Sequence, residues 1–595
     1  MTKRAREDDD PKIADAPFAE YLPQNASEKE RAIRRRGTDL MKEAYVLTYS
    51  DWLPPWVKEI PDCEKSLAGK LQLAQMFLFT VPDKLKMQFR SKIDGIAESL
   101  GFHAGAYHDF SFVYPSSLTW HGIERKLPRV AVNNRWKEDE EFGQQRLNGM
   151  NPLIIQRYDP AILKKFPVTD ELIKGIVGER DTLASLHKSH RLYVTDYARL
   201  DGIEHLSHRP PDGYFVVPCA LFWVNDNGNL MPLAIQLGQK PGPGTPIFTP
   251  KDDPGAWTLA KLFVQQTETS YHTCIEHIGI THYWFEPFYA AAMRQLAEDH
   301  PLHKLIKQHF WFTLTINAAA RDNLMVPKGD LCTLFVQGYE GLRQMLRDAV
   351  KGGFDFDRFH PVKDFAKRGV DDEKALPKYY HREDSLQGWD IVGKYINDFI
   401  DCIYASDADV KADLELQLWA DEFQYNPEPN NGGFINVDLT NGRFATKSQL
   451  KKLMHLMIYS VTFRHGSLHN PQFDLISFTP NAPAMLRRPP PSSKTAKITD
   501  EEIAKEWLAG WDLIIKQASF FIGVTMPPKP GHCMGEYDKE FEDFMNENPV
   551  SATCLQNFRD RLDEMTIRIN ARNEDPRNIP YPYMSPKEVW RSICV

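Results

Sequence analysis

The chain has 595 residues, 42% of them hydrophobic and 12% aromatic, enough for a large core and too many for an intrinsically disordered protein. A formal net charge of -9 and a pI near 6.1, with no long basic stripe, exclude a general nucleic-acid binder. The eight cysteines lack CxxC spacing, which speaks against a disulfide framework or zinc cage and for a reducing compartment.

Read in chain order, MTKRAREDDDPK is polar and carries no apolar core of a secretory signal. No apolar run of about 18 residues follows anywhere, so the expectation is a cytoplasmic protein with no stable membrane insertion. Residues 1–25 read as a flexible tail and 26–595 as one mainly α domain with small β-sheet excursions. Within it, 26–130 is expected to be helical, broken by prolines and without a series of short strands. EKERAIRRRGTDLMKEAY and SLAGKLQLAQMFLF carry apolar residues at three- and four-residue steps. RAIRRRG and LRRPPP are expected as solvated turns. VVPCALFWV, NDNGN and LMPLAIQLG read as a hairpin whose Asn-Gly supplies the positive φ of a tight turn. Beyond Trp257 helices are predicted over 257–277, 282–298, 301–326, 338–350, 384–405, 446–465, 500–523 and 553–572. No internal repeat or compositional linker divides the chain.

HTCIEHIGITH (272–282) holds three histidines in five-residue steps. On a regular helix such a step turns roughly 500°, leaving neighbours about 140° apart and unable to grip one ion. Either the three are unrelated, or a π-type turn, which gathers at functional sites, brings two of them together, and periodicity does not say which two. RHGSLHN places His465 and His469 four apart on one helical face, a common metal grip. Imidazoles with few oxygen ligands and no thiolate suit a redox-capable iron or manganese better than calcium or magnesium.

At HIGITHYWFEPF, followed by RQL, HPLHKLI and INAAAR, the sequence resembles the lipoxygenases. WKEDEEFGQQRLNGMNPLIIQR, LYVTDYARLDGI, PLAIQLGQKPGPGTPIF, YYHREDSLQGWDIV and QFDLISFTPNAP resemble further blocks of that family. The likeness is close from about Trp136 to Val595 and diffuse over 25–135. It implies a lipoxygenase-type helical catalytic domain and resembles fungal members without the N-terminal β-barrel that docks lipid in many animal and plant relatives.

The resemblance also implies a ligand set: His277 and His282 from the first segment, His465 and His469 from the second, and the terminal carboxylate of Val595. His272 falls outside that set, and Asn470 competes with His469. One non-haem iron is the implied cofactor and manganese the alternative, a terminal valine being a manganese-type feature. The implied reaction removes a hydrogen atom from a doubly allylic CH₂ of a linoleate-type fatty acid at a metal-bound hydroxide, and O₂ then gives an S-hydroperoxide, with position 13 preferred. The implied pocket residues are Ala320, whose methyl sets chirality, Leu324, Phe520 and Phe521. Gln472 and Thr273 match positions behind the ligands; Thr273 stands where an amide is usual. Trp257 and Lys261 also match and read as structural. A silent lipid-binding relative and a hydroperoxide-rearranging enzyme are the alternatives. The oligomeric state is not readable.

Overall fold

The computed structural model describes residues 16–65, 118–120, 123–125, 128–205, 213–351, 353–424, 434–508, 510–525, 528 and 530–594. The centre is helix Pro254–Ser270, started by Asp253, whose side chain accepts from Gly255 N (3.0 Å) and Ala256 N (3.2 Å), with Pro254 in the first turn. From Gly255 to Ser270 every residue is buried, so this helix has no solvent face and is packed on all sides. It runs straight into a twelve-residue π-helix, Tyr271–His282, and then helix Phe285–Gln295. A second axis, Lys447–Tyr459, passes through a π-turn at Ser460–Arg464 into the short helix His465–His469. Helices Tyr380–Ile403 and Pro549–Glu574 pack against each other and extend the core.

A five-stranded antiparallel sheet flanks the helices, in the order Gln156–Arg157, Leu192–Asp196, Cys219–Val224, Leu230–Gln236, Ile247–Phe248. Its centre is the expected hairpin: Gly228 has φ +75°, and Asn225 Oδ1 accepts from Asn227 N and Asn229 N to close the turn. Helix Asp139–Asn148 lies on this sheet so closely that a Cβ on Gly143 would stand 1.8 Å from Leu230 O.

Several expectations need correction. Ala16, Phe18 and Leu22 are buried, Phe18 N donates to Cys402 O (2.8 Å), and the Phe18 ring stacks on Phe544; apolar burial pins the chain from Ala16 onward, so the tail reading fails for 16–25. RAIRRRG is not a turn. It lies inside helix Glu28–Ala44, where Ser27 and Glu30 form a capping box, and buried Arg34 makes a bidentate pair with Glu415 (2.7 and 2.8 Å). The described part of 26–130, expected to be helical and proline-broken without a series of short strands, holds that one α-helix and two small strand pairs, Leu47–Thr48 with Trp56–Val57 and Leu118–Trp120 with Ile123–Arg125. SLAGKLQLAQMFLF lies outside the described residues.

The long predicted helices are interrupted. Residues 301–326 divide into Pro301–His309, Thr313–Ala319 and a π-turn Ala320–Leu324, with Phe312 left-handed (φ +67°) at the first break. Residues 500–523 likewise divide around a π-turn, Ile503–Trp507. Asp330–Leu334, Pro361–Arg368, Leu414–Gln424 and Lys539–Met545 are helices that were not expected.

Candidate metal centre

Hydrogen bonds from residue i to i+5 stack positions five apart, so the π-helix does what an α-helix cannot for this spacing. His277 Nε2 and His282 Nε2 come to 3.3 Å. Across from them, the four-residue step of His465 and His469 sets those rings in parallel, centroids 5.1 Å apart. One ring nitrogen each from His277, His465 and His469 lie within 4.8 Å of one another, and the His282 ring is 5.1 Å from that of His465. All four side chains are buried.

Two donors at about 2.1 Å from one ion, subtending about 100°, stand roughly 3.2 Å apart, so the His277–His282 separation fits a shared cation. Ligation also needs neutral rings. Burial, reinforced by His282 and His465, holds His277 well below the ordinary histidine range. Burial likewise brings His282 down to about 4, against a hydrogen bond to Asn317. The ring nitrogens therefore keep their lone pairs at neutral pH. An all-imidazole cluster without thiolate fits a transition metal.

The rings are held from behind. His282 Nδ1 lies 3.1 Å from Asn317 Oδ1, which accepts its proton and leaves Nε2 bare. The Asn317 amide donates in turn to His282 O (3.2 Å) and Glu286 Oε2 (2.9 Å), and Arg321 closes the chain onto Glu286 (2.7 Å). The Gln472 amide lies 3.2 Å from His469 Nδ1. Gln472 Nε2 is the atom that faces this ring nitrogen, so the amide contacts the ring from behind.

His272 stacks on His277, but its Nε2–H donates to Leu468 O (2.9 Å), so it ties the two segments together and turns away from the cluster. Thr273 Oγ1 lies 3.3 Å from His272 Nδ1. Asn470 donates through its amide to Tyr583 O (2.7 Å) and Glu588 O (2.9 Å), which turns it toward the C-terminal segment. That segment is laid beside the histidines: Val589 packs on Gly466, His309 Nδ1–H donates to Arg591 O (2.8 Å), and Thr313 Oγ1 donates to Ile593 O (3.0 Å). Val595 lies outside the described residues.

Ala320 and Leu324 open and close the π-turn Ala320–Leu324, both half-buried. Helix Trp511–Val524 carries Phe520, half-buried, and Phe521, fully buried. Helix Asp330–Leu334 packs against both elements. Trp257 Nε1 and Lys261 Nζ both donate to Asp139 Oδ1 (2.8 and 2.6 Å), which locks helix Asp139–Asn148 to the central helix. Asn317 and Glu286 were missed as site residues. Their signal was present, since INAAAR and FEPF were both noticed as blocks, but nothing in a linear pattern aims either side chain at His282.

A family model for lipoxygenase matches residues 121–580. The chain belongs to the lipoxygenase family. Its curated relatives include the allene oxide synthase-lipoxygenase protein of Plexaura homomalla, 30% identical over 508 residues covering 82% of this chain and 46% of that protein. The polyunsaturated fatty acid lipoxygenase ALOX15B of Homo sapiens is 32% identical, covering 77% and 66%. The hydroperoxide isomerase ALOXE3 of Homo sapiens is 30% identical, covering 78% and 63%. The chain thus spans about half to two thirds of the length of these relatives. Among solved structures, coral 8R-lipoxygenase superposes with a TM-score of 0.80 at 27% identity, covering 96% of this chain and 83% of that one. An engineered lipoxygenase crystallised anaerobically with arachidonate gives 0.84 at 26%, with the same coverage. The likeness fits a mainly α catalytic domain. Among the described residues no helix is long and apolar enough to cross a membrane.

Proposed function

We propose that this lipoxygenase is a non-haem metal-dependent dioxygenase of polyunsaturated fatty acids. The observation that carries the reading is the meeting of four buried imidazoles where two π-interrupted helices cross. His277, His282, His465 and His469 would hold one ion, and the carboxylate of Val595 would complete the set. The docking of the segment up to Cys594 alongside Gly466 and Thr313 supports that last assignment. We assign iron, with manganese as the alternative.

A bound redox-active ion would supply the one-electron chemistry that removes a hydrogen atom from a doubly allylic CH₂ and opens the carbon chain to O₂. The protein's part is placement. Asn317 and Gln472 lie behind two of the rings, and burial keeps His277 and His282 neutral. Ala320 and Leu324 on one wall, with Phe520 and Phe521 on the other, would hold the hydrocarbon. We assign linoleate-type free acids as substrate and the S-hydroperoxide at position 13 as product, Ala320 carrying the chirality. The fungal-type likeness belongs with this finer reading.

The test is incubation of purified protein with linoleate and with arachidonate, following conjugated-diene absorbance and then chiral chromatography. An S-hydroperoxide is expected, and A320G shifts product toward R. A flat absorbance trace with metal-replete protein overturns the reading in favour of a silent lipid-binding relative. The likeness to ALOXE3 favours a second reading, rearrangement of a fatty acid hydroperoxide. Consumption of added hydroperoxide under limiting oxygen, with no diene made from linoleate, would select it.

A further inference from the structure

Three residues that immediately precede implied ligands bond to one another. Glu276 precedes His277, Thr281 precedes His282 and Arg464 precedes His465. The Arg464 guanidinium donates through Nη2 to Glu276 Oε2 (2.9 Å) and through Nη1 to Thr281 Oγ1, and Thr281 Oγ1 donates to Glu276 O (2.7 Å). All three side chains are buried, Arg464 at 5% exposure, Glu276 at 1% and Thr281 at 0%. Arg358 takes the other oxygen of Glu276, and the Arg464 guanidinium lies 4.4 Å from the Phe359 ring centroid.

A residue one step before another on a helix points to a different side, so these three stand behind the ligand face. One planar, permanently charged fork therefore spans both ends of the paired-histidine span on one helix and the start of the pair on the other. A second cross-tie, His272 to Leu468 O, sits one turn away, so the two helices are pinned at these two points against sliding past each other.

We propose that Arg464, with Glu276 and Thr281, is a positioning device that sets the register of the two histidine-bearing helices and thereby the affinity of the site for its ion. It touches neither substrate nor ion. The proposal rests on the metal-centre reading given above.

The test uses the full chain, stripped of metal and titrated with Fe(II) alone, and with Co(II) alone as a visible-absorption reporter of coordination, each in competition with a chelator. R464K and R464M, and T281V, are expected to weaken metal retention about 10-fold or more, the usual effect of removing a group that orients ligands. They are also expected to alter the Co(II) band shape. T281S, which keeps the hydroxyl, is expected to hold metal as the parent does. R382K is the control, because Arg382 is equally buried but donates to Val370 O and Leu376 O away from the site. R464M and T281V that bind Co(II) with parental affinity and band shape overturn the proposal. So does a loss no greater than that of R382K at matched melting temperature. If R464M does not fold, T281V carries the test, since it removes only the two bonds of the Thr281 hydroxyl and leaves the Arg464–Glu276 ion pair in place. A parent chain that binds neither ion refutes the metal-centre reading instead, so the two failures are distinguishable.

Discussion

Asn317→Leu should separate ligand orientation from fold stability. The native amide makes three buried hydrogen bonds: it accepts from His282 Nδ1 (3.1 Å) and donates to His282 O (3.2 Å) and Glu286 Oε2 (2.9 Å). Neutral bonds contribute about 1 kcal/mol each and one to a carboxylate about 1.5–3, so the metal-free fold should lose about 3–5 kcal/mol. Loss of the acceptor on Nδ1–H also frees the ring to flip or to move its proton to Nε2, which should weaken metal retention about 10- to 100-fold. Asn317→Asp is the informative partner. It keeps an acceptor for Nδ1–H but sets a second carboxylate beside Glu286, so its fold should suffer at least as much while its metal affinity stays closer to that of the parent. Urea unfolding of the metal-free proteins gives the first quantity, and chelator competition the second. If the leucine variant retains metal like the parent, or if both variants lose metal in simple proportion to stability, the orientation argument is wrong.

Three further outcomes are expected. Gly143→Ala drives a methyl onto Leu230 O and should destabilise the helix–sheet contact by about 3 kcal/mol or more, seen as a fall in urea midpoint; a change below about 0.5 kcal/mol would mean that the contact is looser than drawn. Gly466→Ala meets Val589 Cγ2 at 3.0 Å, so it should displace the C-terminal segment, lower stability by about 1–2 kcal/mol and release metal faster; unchanged metal retention would detach that segment from the site. Burial brings both His303 and His309 down to about 3. Their folded values lie below the unfolded one of about 6.5, so their stabilisation is complete above that pH and is lost as pH falls toward 3, by at most about 5 kcal/mol each. His303→Gln should flatten the stability–pH profile between about pH 6 and 4, and a profile as steep as the parent's would refute the assignment.

Part of the candidate site was legible because imidazoles that converge must follow a spacing. The five-residue rhythm of His272, His277 and His282 could converge only through a π-turn, and a π-helix runs from Tyr271 to His282. The hairpin around Gly228 was legible for a similar reason, since its turn chemistry is local. What periodicity could not show was interruption. The stretch 446–465 keeps a helical rhythm through its π-turn, and Phe312 breaks 301–326 without glycine or proline to announce it. Nor could it separate a solvated arginine from a buried one: Arg34 in RAIRRRG is buried only because Glu415, distant in sequence, pairs with it. Asn317 and Arg464 escaped for the same reason, their roles being fixed by partners across the fold.

The most direct test of the account is elemental analysis of the protein purified without added metal, beside a His465→Ala variant with the same melting behaviour. The account predicts one iron or manganese ion per parent chain and little or none in the variant. A folded parent chain that carries no redox-active metal and takes none up, or a variant that keeps a full complement, would contradict it.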